Sequence, residues 1–154
     1  MSTALLKVAV LAIAILGLGV GGLAATNTGP ASNGGGETIV APHRLNLESH
    51  GNFVTAILKN ATALPAGLKA SDLTATASVS VNGVDVRVDA VVRAYNGSSH
   101  TVVVKIDRQQ INAAVEDALS KGGTVADPLT LTVTVSGGGA SVTRTGTIDW
   151  FRHP

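Results

Sequence analysis

From Thr38 onward, hydrophobic and polar residues alternate along the chain with a period of two. This is the pattern of strands that bury one face and expose the other. It is clearest in residues 73–81, where Leu, Ala and Val alternate with Thr and Ser, and it returns in residues 84–95. The intervening Asn82-Gly83 favours a type I′ turn, because both central residues of that turn need positive φ. The pattern therefore predicts a tight β-hairpin at this point.

Further segments have strand character, and short turns separate them. They are residues 38–49, 53–59, 101–107, 129–136 and 140–150. Pro42 cannot donate to a ladder, so the first of these is predicted to be an edge strand or to break at that point. Roughly seven short strands predict a mostly-β fold, a two-layer antiparallel β-sandwich of the immunoglobulin-like type.

The segment that follows residues 101–107 changes to a helical period. Asp107 is the predicted N-cap, and Gln110 stands at the third helical position of a predicted capping box. Apolar residues recur on one helical face, namely Ile111, Val115, Ala118 and Leu119. One short α-helix is therefore predicted over residues 108–121. Its polar residues have capping or solvated positions, so we expect the helix to cross between the sheets and close the end of the core.

The first 25 residues have the order of an export signal. Lys7 precedes an uncharged, mostly apolar run over residues 8–25, and Gly22-Leu23-Ala24 fits the small-x-small rule for cleavage after Ala24. Cleavage after Ala25 is the neighbouring alternative. The competing interpretation is an uncleaved N-terminal membrane anchor helix, since about 18 apolar residues lie at the lower limit for a span. Either interpretation predicts a secreted or cell-surface protein outside the cytoplasm.

Residues 26–37, TNTGPASNGGGE, are polar and rich in Gly, without a hydrophobic period. That composition is typical of a flexible linker. The predicted organisation is therefore a signal peptide or anchor at 1–25, a linker at 26–37 and one β-sandwich domain at 38–154.

The composition argues against several classes of function. The 154 residues include no Cys, so no disulfide, thiolate nucleophile or thiolate metal site can form. Eleven basic and ten acidic residues nearly balance, which gives no electrostatic reason to bind nucleic acid or an anionic membrane. Aromatic residues make up 3% of the chain, too few for a stacking platform for bases or sugars. Contact with a membrane is expected only through an uncleaved N-terminal segment.

Several short motifs together resemble a β-rich extracellular module of secreted archaeal and bacterial surface proteins. In chain order they are Leu45-Asn46-Leu47, Ser49-His50-Gly51, Phe53-Val54-Thr55, Asn82-Gly83, Val104-Lys105-Ile106-Asp107-Arg108-Gln109 and Leu131-Thr132-Val133-Thr134. The similarity covers residues 42–150, and the Lys-x-Asp-Arg-Gln segment is its most specific part. The resemblance implies an extracellular β module, often appended to larger surface proteins, and it implies no activity.

One loop departs from the pattern of that module. Where such modules often have an acidic Asp-x-Asp-x-Asp-Gly loop of the calcium type, residues 94–100 read AYNGSSH. Asn96, Ser98 and Ser99 supply oxygens without charge, whereas a calcium loop needs several carboxylates on alternate residues. We expect no calcium binding in this loop, and no cofactor or metal elsewhere in the chain.

Catalytic and metal-binding arrangements have little support in the sequence. The His residues are spread over separate segments, unlike the close pairs of zinc sites, and are His43, His50, His100 and His153. Ser99, His100 and Asp149 include the residue types of a hydrolase triad, but no nucleophile elbow or oxyanion loop accompanies them. No catalytic, cofactor-binding or metal-ligating residue is therefore predicted.

Two sequons, Asn60-Ala61-Thr62 and Asn96-Gly97-Ser98, fall in predicted turns of an exported chain. They make Asn60 and Asn96 candidate glycosylation sites in a host that has the machinery. A glycan at either position would add bulk at the surface of the domain.

These observations favour a non-enzymatic secreted or cell-surface domain with a structural or binding role. Its expected partners are other surface proteins or further copies of itself. One alternative is a filament subunit, in which residues 38–41 add as a strand to the next subunit. A second alternative is a small exported hydrolase, which would need His100 or His50 in a cleft beside a carboxylate of perturbed pKa.

Overall fold

A computed structural model describes residues 36–152 of the chain. The predicted signal or anchor segment with its cleavage positions, Ala24 and Ala25, lies outside the described residues, as do residues 26–35 of the linker. The strands of the described part are β1 Thr38–Ala41, β2 Arg44–Asn46, β3 Phe53–Leu58, β4 Thr74–Val81, β5 Val84–Val88, β6 Ala90–Asn96, β7 Thr101–Asp107, β8 Leu129–Gly137 and β9 Ala140–Phe151, and the α-helix is α1 Arg108–Ser120. Within residues 36–152, no helix is both long and apolar enough to cross a membrane.

The strands form two sheets. One sheet has five strands in the order β2-β9-β8-β4-β5, and the other has four strands in the order β1-β3-β7-β6. Neighbouring strands are antiparallel, except that β2 runs parallel to the end of β9. The predicted mostly-β fold with one short helix is confirmed for the described residues.

Two details of the predicted fold are wrong. The described residues form nine strands instead of seven, because two predicted strands are each divided where the chain passes from one sheet to the other. Pro42 and His43 separate β1 from β2, and Asp89 separates β5 from β6. The pairing is also not wholly antiparallel, because β2 meets β9 in parallel register. Both changes of sheet occur in strands at the sheet edges.

Buried side chains from both sheets meet in one hydrophobic core. Val54 and Val104 of the four-stranded sheet are completely buried, as are Val79 and Leu131 of the five-stranded sheet. Burial of an aliphatic side chain of this size contributes about 1.5–3 kcal/mol. Two sheets that cover one core in this way are consistent with the predicted sandwich.

The helix closes one end of this core, as predicted. It starts directly after β7 of the four-stranded sheet and leads to β8 of the five-stranded sheet. Ile111 and Val115 are completely buried on its inner face. Its last turn ends at Gly122, whose φ of 80° is the left-handed conformation that glycine tolerates best.

The hairpin turn predicted at Asn82-Gly83 is confirmed. Asn82 has φ of 53° and Gly83 has φ of 81°, and Val81 pairs with Val84. This tight turn fixes the register of β5 against β4.

Glu37, directly before β1, contacts the residue that follows β3. The sequence pattern places Glu37 in the linker, but its carbonyl oxygen accepts a hydrogen bond from Lys59 N at 2.8 Å. Its carboxylate also lies 3.6 Å from Lys59 Nζ. The backbone of Glu37 therefore extends the pairing of β1 with β3.

Candidate functional site

The most specific motif of the sequence, at the end of β7 and the start of α1, makes internal contacts. Asp107 caps the helix, and its Oδ1 accepts a hydrogen bond from Gln110 N at 3.1 Å. The other half of the predicted capping box is absent, because the Gln110 side chain bonds to Asp89 and not to the backbone of Asp107. The Asp107 N–H donates to Asp89 O at 2.8 Å instead. The carbonyl group of Asp89, between β5 and β6, thus accepts the hydrogen bond that the Gln110 side chain would accept in a capping box.

The next residues of the motif hold the loop between β2 and β3. Gln109 Nε2 donates to Gly51 O at 2.9 Å, and Asn112 Nδ2 donates to Leu47 O at 3.2 Å. The buried Arg108 guanidinium reaches Asn46 O at 3.4 Å. The loop approaches the Arg108 guanidinium closely at Gly51. A Cβ at this position would lie 2.6 Å from Arg108 Nη1, so a residue with a side chain would displace the guanidinium. Three of the six motifs that carry the resemblance therefore meet here, since Arg108 and Gln109 bond to Asn46 and Gly51, and these contacts give them a structural role.

A buried cation that was not predicted from the sequence, Arg144, lies elsewhere in the core. Arg144 on β9 is 4% exposed, and its Nη2 donates to Asn60 O at 3.1 Å. Desolvation by burial lowers the pKa of Arg144. None of the ion pairs within residues 36–152 includes it. The strand alternation of β9 does place residue 144 on the inner face, but its carbonyl partner is 84 residues away in the chain.

The residues considered for catalysis are not brought together. His100 Nδ1 lies 3.4 Å from the Tyr95 hydroxyl, and Ser99 Oγ donates to Thr101 Oγ1 at 3.0 Å. Asp149 lies at the opposite end of the fold, where its Cα is in register with that of Arg44 on the parallel strand β2. Within residues 36–152, no three side chains of His, Asp and Glu are grouped so that they could hold a metal ion. His153 lies outside the described residues.

Both predicted glycosylation positions are on the surface. Asn60 and Asn96 are exposed and lie at turns, and Asn60 has a left-handed φ of 54°. Asn96 Oδ1 accepts hydrogen bonds from Ser98 N at 2.9 Å and from Ser99 N at 3.1 Å. Glycosylation of these residues stays a prediction.

The outer face of the five-stranded sheet is covered by hydroxyl groups in register. The rows across β4, β8 and β9 are Thr74–Ser136–Ser141, Thr76–Thr134–Thr143, Ser78–Thr132–Thr145 and Ser80–Thr130–Thr147. A shallow depression of about 250 Å³ lies over the middle rows. Exposed Thr is common in strands because its branched side chain fits the pleated surface. The face therefore needs no ligand to explain it.

A groove between α1 and the β4–β5 hairpin is the best candidate for a binding surface. Its volume is about 340 Å³, and its lining residues are Val81, Asn82, Val84, Val86, Ala114, Asp117, Ala118, Lys121 and Gly123. Small side chains of α1 form one wall, and the valines of the hairpin form the other. An ion pair of 3.0 Å between Lys121 and Asp117 lies on the helix wall. We call this surface the helix–hairpin groove.

The helix–hairpin groove exposes more apolar surface than the sequence pattern predicts. Alternation predicts that Val84 and Val86 face the core, but Val84 is 63% exposed and Val86 is only partly buried. The reason is that the hairpin extends past the core toward the end of α1, where Asn82 Nδ2 donates to Thr124 O at 2.6 Å. An exposed apolar wall next to a sheet edge is typical of surfaces that accept a strand.

Comparison with protein-family models, with curated proteins and with solved structures finds no match for this chain.

Proposed function

We propose that the protein is an exported, non-enzymatic domain of the immunoglobulin-like β-sandwich type with a structural or binding role at the cell surface. The observation that carries this proposal is the distribution of polar side chains in the described residues. The side chains considered for catalysis are separated from one another. His100 lies beside the Tyr95 hydroxyl, and Asp149 lies on β9 next to β2. The helix–hairpin groove and the adjacent edge strand β5 form a surface that can bind another chain.

The N-terminal order of the chain supports the location. An apolar, uncharged run, small residues at positions 22 and 24, and a Gly-rich segment precede the folded domain. The balanced charge and the lack of Cys agree with a module that makes protein contacts without binding nucleic acid. The resemblance to extracellular β modules supports the same function.

The filament alternative has less support. It requires residues 38–41 to leave the domain and pair with the next subunit, but here they pair with β3 of the same chain, and Val40 is buried. Only Pro42 and His43 connect β1 to β2, which belongs to the other sheet. Two residues span at most about 7 Å, so β1 cannot reach a distant subunit while β2 stays in place.

The intact mass of the native protein, measured separately from the membrane fraction and from the medium, tests this proposal. A mass that starts at Ala25 or Thr26 in the medium indicates a processed secreted domain. A mass that retains the N-terminus in the membrane fraction indicates an anchored surface domain. Full-length protein found in the cytoplasm would contradict export.

Additional mass in hexose-sized steps would establish glycosylation, and loss of those steps in Asn60→Gln or Asn96→Gln would assign the position.

A further inference from the structure

Strand β5 has an edge that no described strand or loop pairs with. It is the last strand of the five-stranded sheet, after β4. Val81 pairs with Val84 across the two-residue turn, which makes this a hydrogen-bonded pair, and Val79–Val86 is the next such pair. The N–H and C=O groups of Asp85 and Arg87 therefore point away from β4, toward the open edge. These are the groups that an additional strand would use.

The other sheet edges are interrupted or short, and this distinguishes them from β5. Strand β1 has four residues and ends before Pro42, and β2 has three residues. Strand β6 has an irregular register between Val92 and Ala94. Short strands, prolines and bulges all hinder the addition of another strand. Strand β5 has none of these features, and within residues 36–152 only the charges of Asp85 and Arg87 oppose the addition of a strand.

Those two charges are complementary to a second copy of the same strand. The sequence Val84-Asp85-Val86-Arg87-Val88 has opposite charges placed symmetrically about Val86. In an antiparallel pair of two such strands, with a two-fold axis at Val86, Asp85 of each copy lies opposite Arg87 of the other. An axis at Asp85 or at Arg87 would place like charges opposite each other, which is destabilising. The charge pattern therefore selects one register.

The same register uses the free backbone groups. Asp85 of each copy forms a hydrogen-bonded pair with Arg87 of the other copy. In such a pair the N–H and C=O groups of both residues point toward the opposite strand, as the outward groups of Asp85 and Arg87 do. Val86 meets its own copy, and Val84 lies opposite Val88 of the second copy. The exposed Val84 is thereby partly covered, on the face of the sheet that borders the helix–hairpin groove.

We infer that β5 is a dimerisation strand, which pairs antiparallel with β5 of a second copy of this chain about a two-fold axis at Val86. This inference deepens the proposed function and rests on it, because it names the partner of the binding module. The two five-stranded sheets join into one continuous sheet across the dimer. One strand of five residues forms a small interface, so the dimer depends on protein concentration.

A charge exchange between two variants tests the inference. In Asp85→Arg both positions are basic, and in Arg87→Asp both are acidic, so each variant alone places like charges opposite each other. We expect sedimentation velocity of the full chain to show a concentration-dependent dimer, and each variant to dimerise roughly tenfold more weakly. An equimolar mixture of the two variants restores the dimer, because the two basic positions of one variant then lie opposite the two acidic positions of the other.

Two further variants separate edge pairing from unfolding. Asp85→Pro removes an outward N–H without removing a hydrogen bond to β4, so it should fold and remain monomeric. Arg93→Asp changes an exposed charge on β6, another edge strand, and should dimerise like the original protein. Circular dichroism confirms the fold of each variant.

Three results would overturn the inference. They are a monomer at all concentrations, dimerisation that is unaffected in the Asp85 and Arg87 variants, and a mixture that fails to restore the dimer. A dimer formed through the N-terminal segment would give the second result. None of these results bears on export, which the intact mass tests, so failure of this inference is distinguishable from failure of the proposed function.

Discussion

Gln110 and Asp89 are joined by two hydrogen bonds at the point where the chain passes from the five-stranded to the four-stranded sheet. Gln110 Oε1 accepts from Asp89 N at 2.7 Å, and Gln110 Nε2 donates to Asp89 Oδ2 at 2.9 Å. Asp89 O accepts in turn from Asp107 N. These contacts fix the start of α1 to the crossover between the sheets, and so set the position of the helix beside β5.

We expect Gln110→Ala to lower the free energy of unfolding by about 1–2 kcal/mol, because two hydrogen bonds are lost and Asp89 N–H loses its partner. Urea denaturation measures the change. Gln109→Ala is the matched control, since it removes one exposed bond to Gly51 O and should cost less. Asp89→Ala and the double variant Asp89→Ala/Gln110→Ala complete a double-mutant cycle for the bond between the two side chains. A coupling energy of zero would contradict a contribution of this bond to stability.

Asn112 offers a sharper test of the contact between α1 and the β2–β3 loop. It is 5% exposed, and its Nδ2 donates to Leu47 O. Asn112→Asp replaces that donor with a buried carboxylate that faces a carbonyl oxygen, which we expect to cost about 3 kcal/mol at neutral pH. Burial should raise the pKa of the new carboxyl group. Stability should therefore recover as the pH falls through that raised value, where the protonated acid donates again.

Asn96→Asp is the control for this pH dependence. Asn96 is exposed, and its Oδ1 accepts from Ser98 N and Ser99 N. A carboxylate accepts the same hydrogen bonds, so we expect little change in stability at neutral pH. Thermal unfolding of both variants between about pH 3 and pH 7 measures the difference. Equal pH profiles for the two variants would show that the Asn112 side chain is not buried against Leu47.

Local rules predicted much of this fold. The period-two pattern, the Asn82-Gly83 turn and the Asp107 cap depend on residues close together in the chain, and each is present in the structure. The crossover at Asp89 was not predictable in this way. Apolar residues occupy every even-numbered position from 84 to 94, on both sides of Asp89, so the pattern does not reveal that the first half belongs to one sheet and the second half to the other.

The candidate site depends even more on distant residues. The helix–hairpin groove requires Ala114 and Ala118 to lie beside Val84 and Val86, which are about 30 residues earlier. Alternation assigns those valines to the core, because it cannot show that the hairpin extends past the core toward the end of α1. The symmetry of charges about Val86 is visible in the sequence. It indicates pairing with a second copy only when β5 is known to be an edge strand.

The end of the fold opposite α1 depends on a close approach at Gly97. A Cβ at this position would lie 1.9 Å from Ala66 O, so an added methyl group must displace backbone. We expect Gly97→Ala to destabilise the domain by about 1–3 kcal/mol. Gly67→Ala is the matched control in the facing loop, because a Cβ there has no neighbour within 4 Å. That substitution should be neutral or slightly stabilising, and equal losses in both variants would contradict the close approach.

Tyr95 connects the same two loops and should make their stability depend on pH. Its hydroxyl has one proton, which it shares between Leu64 O and Pro65 O, each at 3.1 Å, and desolvation by burial raises the pKa of Tyr95. The unfolded chain therefore loses the phenol proton at a lower pH than the folded chain. The resulting stabilisation is complete below about pH 10 and is lost as the pH rises through the raised pKa of the folded state.

Tyr95→Phe isolates this effect. We expect the variant to lose about 1 kcal/mol at neutral pH, from the missing hydrogen bonds. Above about pH 10 the difference between the two proteins should shrink, because the unfolded form of the original protein loses the Tyr95 proton at a lower pH than its folded form, and Phe has no such proton. Urea denaturation at a series of pH values from neutral to alkaline measures both quantities. If the difference stays constant across that range, the Tyr95 hydroxyl titrates alike in the folded and unfolded chains, and burial does not control it.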